Sequence, residues 1–317
     1  MITLSIETSC DDTSAALVDD SRNVLGMCTV SRIKDHAKFG GVVPEIASRH
    51  HEESILNVVS SLFESSNCTL SDVNFVSVTF SPGLVGSLLV GTSFAKGVSL
   101  ALDIPLVMVD HIESHASSCL IENKDLCPPF LSLVISGGHT SIIDVEDYVK
   151  YKEYFHTLDD AVGEVLDKVA RAMGIPYPGG PQIDKMALEG NPNTFNVPKP
   201  KISNFSFSGI KTWAINMLKG ISEDRKNDLA SSLLFGISEY VSEKVIDTAL
   251  KLGRSKVALG GGVACSKVLR NVLSSKCKDN GIELFVPSQK YCSDNAAMIG
   301  VQGIHNFKCS RGLYQCS

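Results

Sequence analysis

Apolar residues fall along this chain in two rhythms, one of strand-length runs and one of long amphipathic stretches. Residues 4–7 and 15–19 form two short apolar runs. Between them lie Thr8, Ser9, Cys10, Asp11, Asp12, Thr13 and Ser14, a small, hydroxyl-rich and acidic segment suited to a tight hairpin. The layout recurs at residues 130–135 and 141–145, around Ser136, Gly137, Gly138, His139 and Thr140. A second pair of elements also repeats. The β-rich run 75–80 leads through Ser81, Pro82 and Gly83 into a small-residue helix over 85–102. The run 256–259 leads through Gly260, Gly261 and Gly262 into a helix over 264–275. Both pairs keep the same order in each half, which points to internal duplication. Helical periodicity fills the gaps at about 43–64, 160–173, 182–189, 225–252 and 294–307. Strands alternating with helices predict an α/β protein with mixed sheets flanked by helices. Pro128 and Pro129 mark the boundary between an N-terminal lobe, 1–127, and a C-terminal lobe, 128–317. The last helix is expected to pack back at the cleft between the lobes.

A length of 317 residues suits two domains, each with its own core. The ten cysteines are scattered and form no C-x-x-C pair, the pattern of reduced, buried thiols rather than of a disulfide scaffold. No basic or apolar leader opens the sequence. The apolar region 84–109 is interrupted by Lys96, Asp103 and Pro105, so it reads as a buried helix followed by a strand rather than a membrane span. The expected location is the cytoplasm. A net charge of −6 argues against a chain that grips nucleic acid through its own surface alone.

Five places carry candidate chemistry. His111 and His115 follow the strand 106–110, and a helix starting there would put both on one face, able to share a metal ion. The alternative is two helix-start histidines bonded to backbone or solvent. A metalloprotease needs Glu directly after the first His, whereas Glu113 stands two residues on, about 200° around the helix from His111. Asp294, at the start of the last helix, could be a third ligand or an N-cap. Ser136, Gly137, Gly138 and His139 form an anion-binding candidate, since adjacent glycines let successive N–H groups make a nest. Gly179 and Gly180 lie between Pro178 and Pro181, and Asp167 and Asp184 on either side could accept from ribose hydroxyls. Gly260, Gly261 and Gly262 would let a base or phosphate approach a helix N-terminus. Lys199 to Lys211, with Phe205 and Phe207 interleaved, reads as a solvated loop or a nucleic-acid-facing edge.

The runs 6–13, 40–45, 81–84, 111–115, 136–140, 177–181 and 205–209 together resemble one family over essentially the whole chain. It is the bacterial-type tRNA N6-adenosine threonylcarbamoyltransferase family, once labelled O-sialoglycoprotein endopeptidase, whose archaeal and eukaryotic relatives belong to the KEOPS complex. The resemblance implies a duplicated actin-like ATPase fold. It implies transfer of the threonylcarbamoyl group from threonylcarbamoyl-adenylate to the exocyclic amine of the adenosine 3′ of the anticodon, releasing AMP. By motif match His111, His115 and Asp294 would bind one divalent metal, Fe²⁺ or Zn²⁺. Ile135, Ser136, Gly137, Gly138 and His139 would hold the reactive end of the adenylate. Asp167, Gly180 and Asp184 would hold ribose and base, and Asp11 would be a base or positioning group for the attacking amine. Where the family motif ends in Asn, this chain has Ser266, whose shorter hydroxyl implies a water-mediated or missing ligand contact. Little sequence follows Arg311, so partners are expected to supply much of the tRNA grip: an inactive paralogue forming a heterodimer, and a small ATPase. A metabolite kinase of the same fold and a non-catalytic binding partner are the rival readings.

Overall fold

The computed structural model describes residues 1–312, so Cys316 lies outside it, and the nine described cysteines are free. The chain forms two compact units. One comprises Met1–Pro128, Val145–Tyr151 and Pro287–Ser317, the other Pro129–Asp144 and Lys152–Val286.

The first unit opens with an antiparallel meander of β1 (Ile2–Glu7), β2 (Asp12–Asp19) and β3 (Val24–Ser31). A short α1 (Ile33–Ala37) and a long α2 (Pro44–Ser65) follow. Then come β4 (Phe75–Ser81), α3 (Val85–Leu102), β5 (Leu106–Asp110) and α4 (His111–Ala116). β4 runs parallel to β1 and β5 parallel to β4, giving the order β3-β2-β1-β4-β5.

The second unit contains β6 (Phe130–Ile135), the first part of β7 (Thr140–Asp147) and most of β8 (Lys150–His156), whose connecting residues Val145–Tyr151 belong to the first unit, and α5 (Val162–Ala172) and α6 (Gly180–Glu189). It continues with α7 (Ser208–Leu218), α8 (Lys226–Leu252), β9 (Lys256–Gly260), α9 (Lys267–Asp279) and β10 (Glu283–Phe285). Its sheet has the order β10-β9-β6-β7-β8. Read from the opposite edge, that order matches the first sheet strand for strand, as internal duplication requires.

In the first sheet the two-residue period decides which helix covers which face. Leu4, Ala15 and Leu17 turn toward Val58, Val59 and Leu62 of α2, while Ile6, Val76 and Val78 cluster with Ile55 and with Ala95 of α3. Thr3, Ser5 and Ser77 alternate with these and turn the other way. The small residues of that face admit a closely packed α10 (Ala296–Ser310). A Cβ on Gly300 would lie 2.5 Å from Val18 Cγ2, and one on Gly303 would lie 2.5 Å from Ser77 Cβ. Glycine lets α10 approach the sheet this closely.

Two expectations need correction. α3 is not a buried helix: Ser87, Gly91 and Ala95 are buried, while Val85, Leu89 and Leu100 are exposed. By length and composition α3 could cross a membrane, but its small-residue stripe is occupied by packing against α2 and β4. The Lys199 to Lys211 stretch is no aromatic reading surface either. Phe205 and Phe207 are fully buried and ring-packed with Tyr240. Lys211 is paired with Asp160, Lys199 with Glu243, and the segment ends in α7.

Candidate metal centre and ligand loops

The end of β5 builds the candidate metal centre from its own sequence. Asp110 caps α4, its carboxylate accepting from Ile112 N at 2.8 Å and Glu113 N at 3.1 Å. The helix therefore begins at His111, and His111 and His115, four residues apart, share one face with ring centroids 4.6 Å apart. Asp294 reaches them from just before α10. The cap of that helix is the neighbouring Asn295, whose Oδ1 accepts from Met298 N at 3.0 Å. Ser14 of β2 accepts from Ala296 N at 3.0 Å and fixes the same turn. Asp294 Oδ1 lies 3.0 Å from His115 Nε2 and 3.6 Å from His111 Nε2. One donor atom from each of the three residues lies within 4.8 Å of the others. All three belong to the first unit, although Asp294 is 179 residues from His115 in sequence.

This donor set fits a divalent cation. Two imidazole nitrogens and one carboxylate oxygen converge, a combination that suits a borderline metal such as Fe²⁺ or Zn²⁺ better than an oxygen-seeking Mg²⁺. Glu113 is not part of the group, which agrees with the geometric case against a protease. Behind His111 lies Glu7, the last residue of β1 and fully buried. Glu7 accepts from Ser9 N at 2.5 Å and Thr79 Oγ1 at 2.5 Å, and its Oε2 is 3.1 Å from His111 Nδ1. Burial opposes charge on both groups, but their mutual attraction outweighs it. Glu7 is held below the ordinary carboxylate range, and His111, with Asp294 adding to the effect, is raised to about 9.

Asp11 stands in the β1–β2 turn of the same unit, half-buried, its pKa raised mainly by burial and further by the Asp294 charge. Asp12 beside it is pushed up to about 7, again mainly by burial.

The second unit gathers the remaining sequence candidates. Ile135 ends β6, and its carbonyl lies against Gly261, whose φ of +92° and near contact leave no room for a side chain. Ser136 closes the following loop on itself: Ser136 N donates to His139 O at 2.8 Å, and His139 N to Ser136 Oγ at 3.1 Å. Gly137 and Gly138 at the tip are exposed, and their N–H groups donate to no acceptor among the described residues. Gly163 at the start of α5 supports the loop from below, donating to Ser136 O at 3.2 Å. Asp167 of α5 accepts from Gly179 N at 2.7 Å and Gly180 N at 3.3 Å through one oxygen, so it shapes the loop before α6. Burial raises the Asp167 pKa. Asp184 of α6 accepts from Ser266 Oγ at 2.6 Å and Lys267 N at 3.3 Å. Ser266 also caps α9 through Leu269 N at 3.2 Å, so its hydroxyl is committed to protein partners.

Two sheets of matching order with flanking helices define the actin-like ATPase class, and solved structures share it. HypF of T. kodakarensis superposes with a TM-score of 0.66 at 14% identity, over 98% of this chain and 48% of that one. The activator of a 2-hydroxyisocaproyl-CoA dehydratase from Clostridium difficile gives 0.54 at 13% identity, over 100% and 99%. These likenesses establish the fold alone. The family follows from sequence: the family model described as tRNA N6-adenosine threonylcarbamoyltransferase matches residues 23–301. Proteins of that name from Caldicellulosiruptor bescii and Clostridium botulinum are 45% and 47% identical, over 99% and 94% of this chain and 94% and 90% of theirs. The chain belongs to this transferase family.

Proposed function

We propose that this chain transfers the threonylcarbamoyl group of threonylcarbamoyl-adenylate to the exocyclic amine of the adenosine 3′ of the anticodon in ANN-decoding tRNAs, releasing AMP, in the cytoplasm. The observation that carries the reading is the convergence of His111, His115 and Asp294 in a chain of this family. A divalent ion held there, Fe²⁺ or Zn²⁺, would supply Lewis-acid stabilisation of developing negative charge.

The chain's own residues do the rest. The free N–H groups of Gly137 and Gly138, with Ile135, Ser136 and His139 holding the loop, receive the reactive end of the adenylate. Asp167 and Gly180 position the ribose, and Asp184, held in place by Ser266, receives the nucleoside. The amine attacks the carbamoyl carbon, the bond from that carbon to the phosphate oxygen breaks, and AMP departs with the electron pair. Asp11 takes the proton the amine loses, and the burial that raises its pKa strengthens it as a base. The acyl-phosphate is already a good leaving group, so orientation and charge stabilisation dominate the catalytic demand.

The exposed apolar face of α3, with Val85, Leu89 and Leu100, supports the reading that a paralogue pairs with this chain. With a net charge of −6, tRNA grip then comes in large part from that partner and from a small ATPase. A metabolite kinase is disfavoured because its Mg²⁺ is held by carboxylates and water, not imidazoles.

Incubation with threonylcarbamoyl-adenylate, an ANN-decoding tRNA and the partner proteins, followed by nucleoside mass analysis, tests the proposal. Wild type forms threonylcarbamoyladenosine, while His111→Ala and Asp294→Ala form none at unchanged circular dichroism. Absence of product from wild type refutes the reaction. Full turnover by either variant removes the metal from it.

A further inference from the structure

We infer that Glu7 is the positioning carboxylate of the metal centre, holding His111 with its Nδ1 protonated so that Nε2 is presented to the ion. The inference rests on the metal reading above and adds a residue to it. Glu7 is fully buried at the end of a central strand, where an isolated carboxylate would be costly. Its two oxygens are nonetheless met: one by Ser9 N at 2.5 Å, the other by Thr79 Oγ1 at 2.5 Å and His111 Nδ1 at 3.1 Å. The acceptor is thus fixed by the turn after β1 and by the neighbouring strand β4, so its place does not depend on the histidine it serves.

The geometry at His111 is directional. Nδ1 faces Glu7 and Ser9 Oγ, the latter at 3.2 Å, while Nε2 on the opposite side of the ring faces Asp294 Oδ1 at 3.6 Å. A carboxylate can only accept, so it selects the tautomer with hydrogen on Nδ1 and leaves the Nε2 lone pair for a cation. Carboxylates placed behind ligating histidines in this way fix ring orientation and raise ligand basicity, and their loss costs about 10–100-fold in metal affinity. A purely structural role for Glu7, tying β1 to β4, would instead make the Thr79 contact as important as the His111 contact.

The test uses the full chain, stripped of metal and titrated with Zn²⁺ against a competing chelator, for wild type, Glu7→Gln and Thr79→Val. Glu7→Gln keeps the shape of the side chain but not its charge or its pure acceptor character. The expected result is affinity weaker by about 10–100-fold in Glu7→Gln. Thr79→Val should stay close to wild type, its loss well below about 10-fold, since Ser9 N and His111 still hold the carboxylate. Equal affinity for Glu7→Gln and wild type, both folded, overturns the inference and leaves the metal site standing. Wild type that binds no Zn²⁺ overturns the metal reading and this inference with it. Should Glu7→Gln fail to fold, ¹⁵N-histidine NMR of Zn²⁺-loaded wild type decides. A proton on His111 Nδ1 with the metal at Nε2 supports the assignment, and the reverse arrangement overturns it.

Discussion

Replacing Gly163 with Ala pushes directly on the loop proposed to hold the adenylate. The new Cβ would lie 2.7 Å from Gly137 Cα, 2.7 Å from Ser136 O and 3.0 Å from Gly137 N. Carbon contacts settle at about 3.5–4.0 Å, so something must retreat by about 1 Å. Every atom in the way is backbone of the loop, and no side chain can swing aside. The stability effect is small because two terms oppose: overpacking costs about 1–3 kcal/mol, while Ala in place of Gly in a helix returns at most about 1 kcal/mol. Melting should drop by a few degrees, at about 2–4 °C per kcal/mol for a unit of this size. The catalytic effect is larger, since a displacement of about 1 Å at a reacting group costs about 100-fold in rate. We therefore expect kcat/KM for threonylcarbamoyladenosine formation, followed by nucleoside mass analysis, to fall about 100-fold. For the melting measurement the control is Gly97→Ala in α3, where a Cβ meets nothing within 4 Å and the helix should gain up to about 1 kcal/mol. Wild-type kcat/KM in Gly163→Ala would show that the position of the 136–139 loop does not matter to the reaction.

Three further outcomes follow from named contacts. His305 is buried on α10, stacked 4.3 Å from Tyr148, and burial with the nearby Arg22 and Lys308 charges lowers its pKa to about 3. The unfolded chain, with its histidine near 6.5, takes up the proton first, so stability present above that value falls as pH drops toward 3, by up to about 1.4 kcal/mol per unit. His305→Phe should flatten the acid limb of a melting-temperature profile between those values, and an unchanged slope would exclude His305 as its source. Arg254 grips the buried Asp144 through two bonds of 2.7 and 2.8 Å, so Arg254→Ala should lose about 3 kcal/mol in denaturant titration. A loss below about 1 kcal/mol would mean that water replaces the guanidinium. Cys127 is exposed, whereas Cys277 is buried with its thiol pushed up to about 11. Iodoacetamide at pH 8 should label Cys127 and spare Cys277, as peptide mass mapping can show.

Much of the architecture could be read from the pattern, because β1, β2, β6 and β7 are buried strands with short apolar runs that bracket polar turns. The edge strand β8 escaped because Lys150, Lys152 and Glu153 interrupt its apolar residues, and the half-buried β3 escaped despite its largely apolar sequence. α7 escaped because it begins inside a stretch dominated by Lys, Pro and Ser, and the burial of Phe205 and Phe207 depends on Tyr240, far off in sequence. At the candidate metal centre, the four-residue spacing of the histidines was visible locally. The role of Asp294 was not, because an N-cap and a ligand present the same carboxylate until Asn295 is seen to take the cap. Glu7 gave no local signal of its link to the histidines, because apart from Ser9 its partners lie 72 and 104 residues away.

Reconstitution of metal-stripped protein tests the central claim most directly. Threonylcarbamoyladenosine yield is measured against added equivalents of Fe²⁺ or Zn²⁺, in the presence of adenylate, tRNA and partners. Yield should rise from near zero to a plateau at one ion per chain, and Asp294→Ala should stay flat at every addition. Full yield from the stripped protein with chelator still present would contradict the account.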